Sequence, residues 1–497
     1  MEQHGSTSIA VTGLRRGELG TGAVLFQSVS QIAPAGGIAT VAILGANFAG
    51  GALPLATGFT IVACLLVALS VSQLAKHLPS AGSLGTYVSR SLGGPAGFVT
   101  GWMYGIAELL VVSYVALLIA ALVAGLVNSE FGWPYTATWV VTVIAIYVLV
   151  AVVHELGVNV STRVQQIISI VEMLLFVALS ATLIVKAGSG NTLSVFGTDH
   201  GNIKGYEGAA GLFPAAVFII TAFAGFESAT ALAEEAREPR KAVRTAVVGA
   251  VLIVGALYLL TSYAGTVFYG PDKMAGFAGY NAGDPWTGMT KSVWGVGWVV
   301  LFLVVVNSLY GACTAAMNVS TRMLLSLGRA GLGPSVFGRV GRRGTPGNAL
   351  AFVGLIGSAL ALWLGLQYGP ITGLTIMVVA STSLYVTIYV LVNVACAVFF
   401  LRHRREEHHW LHHVVVPLLG ALAFVPVLLV QLGIPAFSWI SKLKAPLTYG
   451  AYAAVATVVI ASVVAVVLSR NVPGRLQRLG SVFDEPQPTS AAVAHVD

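Results

Sequence analysis

Charge is scarce in this sequence. Asp, Glu, Lys and Arg make up 9% of its 497 residues, against about a quarter in soluble domains, so most of the chain does not face water. Cysteine is almost absent. Cys64, Cys313 and Cys396 are widely separated and lack metal-ligand spacing, which excludes a disulfide framework and a cysteine-based metal site and leaves packing as their role. No cluster of His, Asp or Cys suggests an intramembrane enzyme, no filter-like repeat or ring of charge suggests a channel, and no cofactor or metal is expected. The HELGV segment at His154 lacks the second histidine of a zinc-protease motif.

Apolar residues are abundant instead, at 56%. Runs of about 20 apolar residues, enough to cross a bilayer, recur along nearly the whole length. They predict an all-α integral membrane protein of twelve spans, at about 24–48, 52–76, 96–127, 136–153, 163–187, 211–235, 244–269, 294–324, 348–367, 371–401, 414–434 and 447–469. Residues 1–20 precede them, with Arg15 and Arg16 but no small-residue cleavage site, which argues against a removable signal peptide. The proline-bearing stretch 471–497 is expected to be a disordered tail.

With both termini placed in the cytoplasm, 20 of the 26 basic residues fall on the inner side. The outer side keeps Lys186, Lys204, Lys273, Lys291, Lys442 and Lys444, an asymmetry that fits the positive-inside rule for a multi-pass protein of the plasma (inner) membrane. The net charge of +7 therefore reports topology and contact with anionic lipid, not nucleic acid. The run LRHRREEHHWLHH, 401–413, reads as a cytoplasmic loop near head groups.

Two spans are interrupted. The first carries Pro34, Gly36 and Gly37 near its middle, and the sixth carries Gly225. Proline removes a backbone donor, and glycine tolerates open backbone. Breaks at matching positions of two halves point to the binding site of a transporter built from inverted repeats. Close helix packing by the glycines is the alternative. The implied organisation is a five-helix repeat over 21–187, a second over 211–401, and two added helices over 414–469.

Three segments carry a resemblance. FAGFESATALAEEAREPRKAVRTA, PSAGSLGTYVSRSLGGPAGFVTGW and NVSTRMLLSLGRAGLGPSVFGRVGRRGTPGNA resemble, in order, the sixth helix with its following loop, the loop between helices two and three, and the eighth-helix exit of amino acid-polyamine-organocation permeases. The resemblance implies alternating access and an amine-bearing substrate, most often an amino acid, held at the two breaks. Carried onto this chain, a carboxylate meets the amides around Ala35, Gly36, Gly37 and Ile38. An ammonium group meets carbonyls near Ile32, Phe223, Ala224 and Gly225, and Phe226 is a candidate gate. Some proton-coupled members place a lysine in helix five where this chain has Glu172, so that coupling device does not carry over.

Three acids lie inside the expected spans: Glu108, Glu172 and Glu227. A carboxylate at the bilayer centre costs about 2.5–3.5 kcal/mol, so each should face the bundle interior. Glu227 sits where the sixth helix resumes, as a cap of free amides, as a proton carrier or as a partner for the substrate's ammonium group. Glu227 or Glu172 is the expected proton carrier, and Glu108 and Glu172 can also serve as buried acids bonded to neighbouring helices. Sodium coupling through Thr314, Ser320 and Thr321 stays open, as does a pathway face from Ser381, Thr382, Ser383 and Thr387. The expected function is proton-driven import of an amino acid or related amine, with an exchanger or a non-transporting sensor as alternatives. Because the first break offers no charged side chain and Ala224 leaves room, a neutral or weakly polar substrate is favoured.

Overall fold

The computed structural model of the chain describes residues 19–78, 83–155, 162–232, 236–341, 345–435, 437 and 439–471. The first 18 residues, the tail from 472, the Pro79–Gly82 start of the second resembling segment, the acids 234 and 235, and 156–158 of HELGV lie outside them. Among the described residues the fold is helical, with one isolated bridge between Leu19 and Ala236 and no strands.

Among the described residues, eleven helical runs are long and apolar enough to cross a membrane. The first, Thr21–His77, has 57 residues, far more than the roughly 20 one crossing needs. It contains both of the first two expected spans and breaks between them at Gly50, whose φ is 55°. Eleven runs thus carry the twelve expected spans. The seventh run, Pro285–Arg329, adds something unforeseen: a short helix, Pro285–Trp294, precedes the eighth span, and Gly295 at φ 53° turns the chain between the two.

We number the helices that matter here in chain order. They are α1 (Thr21–Ile32), α2 (Pro34–Thr40), α3 (Leu53–His77), α4 (Gly94–Phe131), α5 (Tyr135–Glu155), α6 (Thr162–Ala187), α7 (Leu212–Phe223), α8 (Pro239–Tyr269), α9 (Trp298–Arg329), α10 (Gly347–Tyr368), α11 (Pro370–Arg402), α12 (Val416–Gln431) and α13 (Thr448–Asn471). Helix α4 is the most enclosed and packs along α9 and α11, while α3 packs along α8. Helices α5 and α13 lie at the periphery, with Val141, Ile144, Val148, Val459 and Val463 turned outward. That is the all-round apolar character of a helix between protein and lipid.

Many hydroxyls inside this apolar body are satisfied locally. Thr57, Thr60, Ser113 and Thr382 each donate to the carbonyl four residues earlier, because lipid offers no alternative partner. Others tie helices together, as where Ser70 of α3 donates to Asn393 of α11 at 2.6 Å. The three cysteines are fully buried and free.

Helix α13 closes on α11 through Gly450. A Cβ there would run into the Ile376 carbonyl and come within 2.9 Å of the Ala380 nitrogen. Gly450→Val is therefore expected to cost about 1–3 kcal/mol as overpacking against backbone that cannot retreat, read as a lowered melting temperature of the detergent-solubilised protein.

Candidate functional site

The first break falls one position earlier than the sequence reading put it. Ala33 sits at φ 55°, ψ 72°, ending α1, and Pro34 is the first residue of α2. The reason is local. The residue before a proline avoids the helical region, whereas proline at the first helical position loses no bond and starts the new helix with its fixed φ. Gly36 and Gly37 lie inside α2 and serve close approach instead. A Cβ on Gly37 would overlap the Tyr258 hydroxyl, and one on Gly36 would press on Leu309 at 2.8 Å.

The second break is at Gly225, as expected. Helix α7 ends at Phe223, Gly225 takes φ 109°, and a 3-10 turn resumes over Phe226–Leu232. The two breaks touch, since a Cβ on Gly225 would lie 3.1 Å from the Gln31 carbonyl oxygen and 3.3 Å from the Ile32 nitrogen. Only glycine fits both the angle and the gap.

A cavity opens at this crossing. Its wall includes Gln31, Ile32, Ala33, Gly36, Gly37 and Thr40 from the first span, and Thr221, Ala222, Ala224 and Gly225 from the sixth. Helix α4 adds Tyr104, Glu108, Val111, Tyr114 and Val115; α9 adds Leu309, Ala312 and Ala316; α11 adds Tyr385. Of the residues expected there, Ile32, Gly36, Gly37, Ala224, Gly225 and Glu108 line it. Ala35, Ile38, Phe223, Phe226, Glu172 and Glu227 are buried behind the wall.

Their backbone groups explain the division. The first four amides of a helix have no intrahelical partner, and Pro34 has none to offer. The Ala35 amide donates to Glu172 Oε2 at 3.4 Å, and the Gly37 amide closes on the Ala33 carbonyl at 2.9 Å. Gly36 is the remaining first-turn amide, and it borders the cavity. The Ile38 carbonyl faces the other way and accepts from Trp286 Nε1 at 3.4 Å. At the second break the Ala222 carbonyl accepts from Tyr258 Oη at 2.8 Å, the Gly225 carbonyl from the Ser228 amide at 3.0 Å, and the Thr221 carbonyl from the Ala224 amide at 3.2 Å. Phe223 packs edge-on against Tyr258 and Phe226 tilts onto Tyr389.

The three acids have three different surroundings. Glu172 of α6 joins two other helices, accepting from the Ala35 amide and from Ser308 Oγ of α9 at 2.8 Å. Glu227 Oε2 accepts from the Gly225 amide at 3.2 Å and Tyr389 Oη at 3.5 Å, while its Oε1 is buried with no partner. Glu108 Oε1 accepts from Tyr385 Oη at 2.8 Å. The Tyr104 hydroxyl interacts with both Glu108 and Glu227.

The residues the sequence reading missed are the partners: Ser308, Tyr104, Tyr258, Tyr385 and Tyr389. A signal was present in the four-residue spacing of Tyr104 with Glu108 and of Tyr385 with Tyr389, which places each pair on one helix face. The candidate sodium oxygens do not gather here. Thr314 donates to the Gly311 carbonyl and Ser320 to the Gly105 carbonyl, and Thr321 has no partner. The hydroxyls of Ser381, Thr382 and Ser383 likewise go to carbonyls, with Thr382 also meeting Thr221.

Residues 19–469 match the family model described as amino acid permease. The histidine permease HisP of Lactococcus lactis is 24% identical over 346 residues, covering 67% of each chain. The branched-chain amino acid permease BcaP of Bacillus subtilis is 27% identical over 349 residues, 65% of this chain and 70% of its own. The chloroplastic cationic amino acid transporter 7 of Arabidopsis thaliana is 27% identical over 379 residues, 72% of this chain and 60% of its own.

Glu172→Ala should destabilise the protein by about 1–3 kcal/mol, because the Ala35 amide and the Ser308 hydroxyl are left buried and unpaired. Glu172→Gln, which keeps a carbonyl oxygen for both, should melt close to the parent; a thermal-shift series in detergent compares the two.

Proposed function

The chain belongs to the amino acid permease family, and from that premise we propose that it is a secondary active permease importing an amino acid or related small amine across the plasma membrane, both termini cytoplasmic, by alternating access and coupled to protons. It is a multi-pass membrane protein and a transporter, not an enzyme. The observation that carries the reading is the cavity at the crossing of two broken spans, bordered by backbone that no helix satisfies. Irregular backbone at membrane depth is tolerated only where it is buried in protein or lines a cavity.

In this reading the substrate carboxylate takes the Gly36 amide at the positive end of α2, and its ammonium group takes open carbonyls of Ile32 and Ala224. Ala35 and Ile38 act through the backbone turn they complete. Opening and closing pivots at Ala33 and Gly225, the two non-helical points, with the repeats 21–187 and 211–401 moving against each other. The named relatives are described for histidine, branched-chain and cationic amino acids, which supports the class and leaves the individual substrate to experiment.

Proton coupling is supported by three buried carboxylates and, among the described residues, no buried Lys or Arg to balance them. Glu172 and Glu227 sit behind the cavity wall, each on an amide of a break, so a proton gained or lost there changes how firmly that break is held. Purified protein in liposomes should accumulate a labelled amino acid above its equilibrium level under an inward proton gradient. Accumulation only with a sodium gradient, or only with unlabelled substrate trapped inside, would replace coupling to protons by sodium symport or exchange. Glu227→Gln or Glu172→Gln should abolish accumulation yet retain exchange across the membrane, identifying the proton carrier. Uptake by both variants that still follows the pH gradient would clear both.

A further inference from the structure

The three buried acids are not equivalent, and the difference assigns one of them to the substrate. Glu172 and Glu227 each accept from a backbone amide at a break and lie off the cavity. Glu108 accepts from the Tyr385 hydroxyl and, among the described residues, from no backbone amide, and the Tyr104 ring stands in the same wall against Tyr385. It is also the only charged side chain among the residues lining the cavity. A buried carboxylate without a cation is expensive, and such groups are normally paired. No Lys or Arg is buried among the described residues, so none of them supplies a pairing cation for Glu108.

We propose that Glu108 is the specificity determinant of this cavity and receives the cationic end of the substrate's side chain, so that the permease selects amino acids with a second positive charge. This rests on the reading of the cavity as the substrate site of an amino acid permease. The wall around Glu108 has the composition such a side chain needs. Val111, Val115 and Leu309 offer apolar surface to a methylene stem. Tyr104 and Tyr385 meet edge to face with centroids 6.1 Å apart, and with Tyr114 they put aromatic rings beside the carboxylate, where a cation is drawn to a π face. Under this proposal the preference for a neutral substrate, drawn from the first break and the room at Ala224, gives way, because the deciding charge comes from α4 across the cavity.

The test compares lysine with norleucine, which keeps the backbone groups and most of the stem but lacks the ammonium. In wild-type proteoliposomes kcat/KM for lysine should exceed that for norleucine by at least about 30-fold, the scale of losing one partner of a buried charge pair. Glu108→Gln should collapse that ratio. Norleucine carried as well as lysine by the wild type, or a ratio unchanged in Glu108→Gln, overturns the proposal and assigns Glu108 to the proton path or to structure. Should Glu108→Gln not be recoverable, Glu108→Asp draws the carboxylate back by one methylene. It should then raise the lysine-to-ornithine ratio, and an unchanged ratio counts against the proposal. Failure of every amino acid to enter under any gradient would instead defeat the permease reading itself.

Discussion

A hydrocarbon interior offers no hydrogen bonds, and every peptide group set free from a helix at membrane depth must find a partner in the protein or cost several kcal/mol. The architecture around the two breaks is largely an answer to that demand. Glu172 meets the Ala35 amide, Glu227 the Gly225 amide, and Tyr258 the Ala222 carbonyl. Each partner arrives from another helix or from the resumed turn, so satisfying the backbone also ties α2 to α6 and, through Ser308, to α9, and ties α7 to α8. The Gly36 amide, the remaining one in the first turn of α2, borders the cavity.

The same demand explains why acids, and not bases, were placed inside. Carboxylates accept, and a helix that restarts presents amides. A lysine could not cap either break. Carboxylates placed there share an interior in which no described Lys or Arg is buried, and the proposed proton coupling and the proposed choice of substrate both rest on that imbalance. Glu108 differs because it rests on phenols, which hold a carboxylate in place without neutralising it.

Much of this was legible in the sequence, and the losses have physical causes. Span positions and the break at Gly225 follow from apolar run length and from glycine's freedom, both local properties. The first break was misplaced by a residue because Pro34 punctuates the chain through its predecessor, Ala33, and the flanking glycines drew attention to themselves for a different reason, close packing under Tyr258 and Leu309. The short helix Pro285–Trp294 was missed because Thr287, Thr290, Lys291 and Ser292 interrupt its apolar residues, so that no continuous run forms. The depth of Glu108, Glu172 and Glu227 was readable from their apolar neighbours. Their partners were not, since Ser308 is 136 residues from Glu172 and Tyr385 is 277 from Glu108, and pairing at such range is fixed by packing alone.

The three buried cysteines carry a practical consequence. Cys64, Cys313 and Cys396 are each at zero exposure and away from the cavity wall, and they are the chain's full complement of thiols. A water-borne maleimide would therefore find no native target in the folded protein. One cysteine introduced at an exposed loop position would give a single reporter on an otherwise unaltered background, and the relative movement of the two halves could be followed by fluorescence without first stripping the protein of its own sulfur.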